Sequence, residues 1–280
     1  MAEDTYHLVQ TRYGNIAKRA TDTKSKGDEE EKIAMAFGYS LEDLQSLPDK
    51  MNLGLSCGNP VASANLKQGE TVVDLGSGGG IDVVLAARKV GPEGNAIGID
   101  MTKDMIELAK KNVNDAGVRN ASFIEASIAS IPLPDSSVDC IISNCVINLV
   151  PAKDKATVFQ EIARLLKPGG RVAISDILAR KQLPENIVND MSLYVGCIAG
   201  ASQVAEYEDY LTSAGFQDIL IIDAKGNLNL YKESSCLSES SCCNTEKSSS
   251  NKPANDHLGL DFNEWAGSFH IYAVKPGQAV

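Results

Sequence analysis

From Thr71 onward, short apolar runs alternate with stretches of helical periodicity, and this alternation narrows the possible folds more than any other feature of the chain. Thr71–Leu75, Ala96–Ile99, Ser122–Glu125, Val138–Ser143 and Val172–Ser175 read as strands. Ile81–Val90, Lys103–Ala116 and Lys153–Leu166 read as the helices between them. Strands joined through helices pair in parallel, with helices covering both faces of the sheet. The expected fold class is therefore α/β, with a doubly wound, mostly parallel sheet. Lys167-Pro168-Gly169-Gly170 is expected to end the last helix and turn the chain into the next strand. After Asp176 the pattern reads as helical to about Ala214. Phe216–Ile222 and Ser268–Val274 then read as an antiparallel C-terminal hairpin.

The flanking regions have a different character. Tyr6, Val9, Tyr13, Ile16 and Ala20 recur at helical spacing, and Asn52–Pro60 reads as an irregular loop with Cys57 near its centre. Ser234–Ser250 is serine-rich, with Cys236, Cys242 and Cys243 embedded, and reads as a mobile insertion into the hairpin. Four regions are expected. Residues 1–65 form an N-terminal helical segment and residues 66–180 the core. Residues 181–224 form a helical cap and strand, and residues 225–280 a small C-terminal extension of insertion and terminal strand.

The first strand runs into Gly76-Ser77-Gly78-Gly79-Gly80, a strand–turn–helix in which a ligand can approach the backbone and the helix N-terminus. A dinucleotide fingerprint starting at Gly76 requires Gly or Ala at position 81, where Ile81 stands; a start at Gly78 meets Val83. No P-loop lysine follows. The second strand ends at Asp100, at about the separation where an acid reaches a ribose diol; taken alone, it could equally be a helix N-cap.

A formal net charge of -11 argues against a nucleic-acid partner, because phosphate contacts need a basic face. No apolar stretch approaches the roughly 20 residues of a membrane span, and the first residues lack a signal-peptide pattern. A cytoplasmic protein is expected. Its seven cysteines are odd in number and irregular in spacing, unlike a secreted disulfide framework. Cys140, inside a strand, reads as a small core residue. Cys57, Cys145 and Cys197 lie in Gly/Asn-rich settings less suited to packing. No Cys-x-x-Cys pair or histidine cluster marks a zinc site.

Asp74–Gly80, Asp100, Leu166-Lys167-Pro168-Gly169-Gly170 and the closing hairpin resemble the class I S-adenosylmethionine methyltransferases, a Rossmann-like fold. The resemblance implies S-adenosylmethionine as cofactor, held by Asp74, Gly76, Ser77, Gly78, Asp100, Met101, Ser127, Ile128 and Asn144. Gln10–Gly14, Asn52–Pro60, Ser143–Leu149 and Gly196–Gly200 further resemble the arsenite methyltransferases, over nearly the whole chain. That resemblance implies that Cys145 and Cys197 hold trivalent arsenic, with Cys57 in thiol exchange and possible as a further ligand. Arsenite and methylarsenite would be the substrates, thioredoxin or glutathione the external thiol reductant, and arsenic detoxification the role. Thiolates suit trivalent arsenic, a soft ion. Many animal and algal members of that family carry a further cysteine N-terminal to the one matching Cys57, and none precedes Cys57 here. Three routes stay open: Cys57 pairs with Cys145 and is reduced externally, a C-terminal thiol substitutes, or catalysis stops earlier. Cys242 and Cys243, as adjacent thiols, are candidates for auxiliary arsenic capture.

Two other classes compete. One is a methyltransferase acting on a small organic carbon or oxygen acceptor, with structural cysteines. It would usually present a general base, and His7, His257 and His270 all lie outside the core segments as read. The other is a non-enzymatic thiol protein that binds metalloids, which would not need the glycine loop.

Overall fold

Val72, Val73 and Leu75 are almost wholly buried, as expected of a strand covered on both faces. They belong to β1 (Thr71–Leu75). The computed structural model describes residues 2–22, 28–48, 51–188, 197–230 and 261–277. The other strands are β2 (Asn95–Asp100), β3 (Ala121–Glu125), β4 (Val138–Asn144), β5 (Leu166–Ala179), β6 (Gln217–Asp223) and β7 (Ala266–Val274). They form one seven-stranded sheet in the order β3-β2-β1-β4-β5-β7-β6. β1 to β5 pair in parallel, and β7 is antiparallel to both β5 and β6. The expected doubly wound fold with an antiparallel C-terminal pair is the one observed.

Ahead of the sheet lie α1 (Ala2–Asp22), α2 (Asp28–Ala36), α3 (Leu41–Gln45) and α4 (Pro60–Ser63). The crossovers are α5 (Ile81–Val90), α6 (Lys103–Asp115) and α7 (Ala152–Leu165). Val158, Phe159, Ile162 and Leu165 form the buried stripe of α7 at helical spacing. Burying each such side chain contributes roughly 1.5–3 kcal/mol. The later helices are α8 (Glu185–Val188), α9 (Val204–Ser213) and α10 (Phe262–Trp265). No helix among the described residues is long and apolar enough to cross a membrane. Cys236, Cys242, Cys243 and the Ser234–Ser250 insertion lie outside the described residues.

The structure corrects two expectations. The Lys167–Gly170 turn does not precede the strand but interrupts it. Val138 pairs with Leu166 and Cys140 with Arg171, so these four residues bulge out of β5. The bulge is held because Gly169 N–H donates to Lys275 O at 2.9 Å and Lys275 N–H to Gly170 O at 2.8 Å. Second, Ile177–Ala179 extend β5 rather than begin a helix, since Ser268, Gly267 and Ala266 of β7 supply their pairing. His270, within the strand expected at Ser268–Val274, stands opposite Ser175 on β5 and Ile222 on β6.

Beneath β1, Arg171 fastens the chain that enters the sheet. Its guanidinium donates to both carboxylate oxygens of Glu70, at 2.8 and 2.7 Å, and to the carbonyls of Ala64 and Asn65. A bidentate pair of this kind fixes direction as well as distance.

Candidate active site

β1 delivers the chain into a run of left-handed glycines, Gly76 (φ 69°), Gly78 (φ 49°) and Gly80 (φ 88°). A side chain at Gly76 would run into Val146, so glycine is required there for space as well as for φ. The turn is fixed from β2: Gly76 and Ser77 N–H both donate to Ile99 O, at 2.7 and 2.9 Å. Asp100 completes the clasp. Its Oδ2 accepts from Gly78 N–H at 3.0 Å and its Oδ1 from Thr102 N–H at 2.8 Å. The carboxylate thus ties the glycine loop to the start of α6, and each oxygen retains capacity for a second donor.

The loop opens on a cleft of about 1000 Å³. Asp74, Gly76, Ser77, Gly78, Asp100, Met101, Ser127, Ile128 and Asn144 all line it, as do Tyr6, Val9 and Tyr13 of α1. Three carboxylates, Asp74, Asp82 and Asp100, face this space, and among the described residues no lysine, arginine or histidine lines it. Burial raises the pKa of Asp74 well above its usual range, and the charges of Asp82 and Asp100 add to the rise. Burial also raises Asp82, to about 6, against hydrogen bonds from Tyr39 and Asn144 that oppose the shift. Asp100 is raised chiefly by burial as well. Concentrated negative charge in a low-dielectric site is relieved by a cationic ligand. Ser77 Oγ is buried with no hydrogen-bond partner among the described residues and is turned toward Gly98 of β2.

Beside the cleft, three sulfurs converge. Cys57 lies in the loop before α4, Cys145 follows β4, and Cys197 lies between α8 and α9. Their Sγ atoms are within 4.8 Å of one another, and all three residues are buried. Cys57 and Cys145 are joined as a disulfide with their Cα atoms 5.5 Å apart, while Cys197 is free. Cys145 lines the cleft, whereas Cys57 and Cys197 sit behind it. Both Cys145 (φ 59°) and Cys197 (φ 67°) occupy left-handed backbone, at a cost of about 1–3 kcal/mol each. The Cys197 thiol is pushed up by burial and by Asp176, while Arg12, Lys155 and a Tyr13 hydrogen bond pull it down. Cys140 is elsewhere, fully buried within β4, and burial pushes its thiol to about 12.

Asp82 and Tyr39 were not legible as site residues in the sequence. Asp82 carried one signal, an acid in the first turn of the helix that follows the glycine loop. Tyr39 carried none, being one of two aromatics, with Phe37, in the short link between α2 and α3. His270 pairs through Nδ1 with Ser175 Oγ at 3.1 Å and does not line the cleft. Burial lowers its pKa.

Residues 66–215 match a family model described as a methyltransferase domain. The chain is 40% identical over 238 residues to an arsenite methyltransferase of Halobacterium salinarum, covering 78% of this chain and 59% of that protein. It is 34% identical over 217 residues to the human arsenite methyltransferase, covering 74% and 57% respectively. The chain thus spans less than two thirds of the length of these curated relatives. Among solved structures, an arsenic(III) S-adenosylmethionine methyltransferase from Chlamydomonas reinhardtii superposes with a TM-score of 0.58 at 27% identity, covering 89% of this chain and 74% of that one. A geranyl diphosphate C-methyltransferase from Streptomyces coelicolor shares the fold at 17% identity and a TM-score of 0.61. With the glycine loop, the acid-lined cleft and the sheet order all in place, the chain belongs to the methyltransferase domain family.

Proposed function

We propose that this chain transfers methyl groups from S-adenosylmethionine to trivalent arsenic, bound as arsenite by the thiolates of Cys57, Cys145 and Cys197, or as methylarsenite by two of them, Cys145 and Cys197. The observation that carries this reading is the placement of three buried sulfurs, within 4.8 Å of one another, against a cleft walled by three carboxylates. The residues of the cleft suit the cofactor: its cationic groups complement Asp74, Asp82 and Asp100. When bound, S-adenosylmethionine supplies a methyl carbon on a positively charged sulfur.

Asp100, Met101, Ser127 and Ile128 would hold the nucleoside end, and the loop from Asp74 to Gly78, with Asn144, the amino-acid end. Thiolates are the preferred ligands of a soft ion, and three of them leave arsenic one lone pair. Cys145, at the wall between thiols and cleft, sets the direction in which that lone pair meets the methyl group. Forming the As–C bond oxidises arsenic by two electrons. Cys57 and Cys145, already deprotonated as ligands, can return both electrons by joining as a disulfide while their two As–S bonds break. The disulfide between them supports that pairing, with thioredoxin or glutathione as the reductant that reopens it. This assignment needs no cysteine N-terminal to Cys57. Arsenic detoxification in the cytoplasm is the role this chemistry serves.

The test is incubation of the reduced protein with labelled S-adenosylmethionine, arsenite and a thiol reductant. Methylated arsenicals are expected from the native chain and not from Cys145→Ser or Cys197→Ser. No product from the native chain, or undiminished product from the variants, overturns the proposal. Cys242 and Cys243 are assigned an auxiliary role in arsenic capture. The double serine variant is expected to bind arsenite more weakly while still turning over, and unchanged affinity would remove that role.

A further inference from the structure

Asn144 ends β4 between the acidic cleft and the thiol cluster, and its side-chain amide is engaged on both sides. Its Oδ1 accepts from the backbone N–H of Cys57 at 3.0 Å. Its Nδ2 donates to Gly58 O at 2.9 Å, to the Tyr39 hydroxyl at 2.8 Å and to Asp82 Oδ2 at 3.2 Å. Tyr39 closes the ring by donating its hydroxyl to Asp82 Oδ1 at 2.7 Å. Tyr39 and Asp82 are both buried. Asp82 lines the cofactor cleft, whereas Cys57 lies behind it. An amide flip would turn an N–H toward the Cys57 N–H and a carbonyl toward the carboxylate, so the network fixes one orientation.

The Cys57 loop is held equally firmly from behind. Ser268 Oγ donates to Cys57 O. A Cβ at Gly58 would stand 2.5 Å from that of Ser175 and 3.3 Å from Cε1 of His270. The loop is therefore seated between the sheet and the Asn144 amide, and the position of its thiol follows that amide.

We propose that Asn144 and Tyr39 couple the two halves of the site, so that a ligand facing Asp82 tightens the grip of the three thiols on arsenite, and arsenite tightens the cleft on its ligand. This inference rests on the functional reading above. Burial raises the Asp82 pKa to about 6, so below that pH most of the free protein carries it neutral. A cationic group beside it holds it ionised, and an ionised acceptor binds O–H and N–H donors roughly twice as strongly as a neutral one. The Tyr39 hydroxyl keeps its proton, because burial and then the Asp82 charge raise its pKa well above the usual value. Charge on Asp82 thus draws in Tyr39 and the Asn144 amide, and Asn144 carries the Cys57 backbone with it. Tyr39 and Asn144 act here as positioning residues.

The experiment uses reduced full-length protein at about pH 5, where the free protein holds Asp82 mostly protonated, and S-adenosylhomocysteine, which carries the ammonium group but no methyl to transfer. Trp265, the chain's one tryptophan, packs against the cluster containing all three cysteines and reports arsenite binding by fluorescence. In the native chain, saturating S-adenosylhomocysteine is expected to tighten arsenite binding about fivefold or more, and arsenite to tighten S-adenosylhomocysteine by the same factor. Tyr39→Phe keeps the ring and removes the hydroxyl. It should bind each ligand alone within about twofold of the native chain while the coupling factor falls toward one. A purely structural role would weaken both ligands and leave their ratio intact. A coupling factor near one in the native chain, or one that survives in Tyr39→Phe, overturns the inference while leaving the functional reading standing. Native protein that binds neither ligand overturns both.

Discussion

The thiol of Cys197 donates to the backbone carbonyl of Cys145 at 2.9 Å, although 52 residues separate them. Both residues lie in left-handed backbone. Each is thus held where a relaxed chain would not leave it, and each constrains the other. Strain retained at two cysteines facing one another is the pattern of a site rather than of core packing.

The Cys57–Cys145 disulfide closes a separation of 88 residues. Such a cross-link stabilises a chain by about 4–5 kcal/mol, mainly by restricting its unfolded state. The oxidised protein should therefore resist urea better than the reduced protein, yet bind no arsenite. After reduction, one arsenite per chain is expected to protect Cys57, Cys145 and Cys197 together from alkylation, as read by mass spectrometry. Protection of one or two of them would contradict the three-thiol site.

Gly76 and Gly78 should respond differently to alanine. Both have positive φ, but the new Cβ meets Val146 at Gly76 and open space at Gly78. Gly78→Ala should cost about 1–2 kcal/mol of stability, from backbone strain alone. Gly76→Ala adds overpacking of about 1–3 kcal/mol and displaces the wall of the cleft. Denaturation midpoints and S-adenosylhomocysteine affinity measured together should show Gly76→Ala losing both.

Asp82 gives the cleft a pH dependence of definite sign. Its pKa is raised by burial to about 6, whereas an unfolded chain titrates near ~4. Ionising it costs the unliganded fold, so stability falls as pH rises between those values and levels off above about 6. A cationic ligand that prefers the ionised form should bind more tightly as pH rises toward 6, by at most about tenfold per unit. Titration calorimetry with S-adenosylmethionine from pH 5 to 8 should show this rise, and Asp82→Asn should flatten it.

Arg171 and Glu70 form a pair that is nearly buried, with side chains 9% and 13% exposed. Arg171→Met leaves the carboxylate without its partner and should cost about 3–5 kcal/mol in urea unfolding, with the glycine loop otherwise intact. Burial is the largest influence and raises the Glu70 pKa, but the Arg171 hydrogen bond, the Lys67 N–H and the Arg171 charge together outweigh it, and the net shift is downward. Its contribution is therefore present above the unfolded value near ~4 and is lost as pH falls below that.

The sheet was legible in the sequence because its signal is local. Thr71–Leu75 and Ile81–Val90 were read to the residue, since a five-residue apolar run and an amphipathic period declare themselves without tertiary help. Ile177–Ala179 were misread because their strand character comes from β7, some ninety residues later. The glycine loop and Asp100 were readable from spacing, and the three cysteines from the segments around them. Tyr39 was not, because its role comes from a hydroxyl meeting Asp82 and Asn144 across the fold. The pairing of Cys57 with Cys145, left open in the sequence, depends on how closely β4 brings its end to the loop before β1.

The placement of β7 has a consequence for how the chain is made. A ribosome releases β5 and β6 before β7, yet β7 belongs between them. At about 5–20 residues per second, the 43 positions from Asp223 to Ala266 take on the order of seconds to emerge. Until then β5 presents an open edge, the usual template for pairing with the wrong chain. The glycine loop is complete long before that moment. The Cys57 loop is not, because its carbonyl waits for Ser268. During biosynthesis the cofactor half of the site therefore matures first, and the thiols come into register only as the last strand docks.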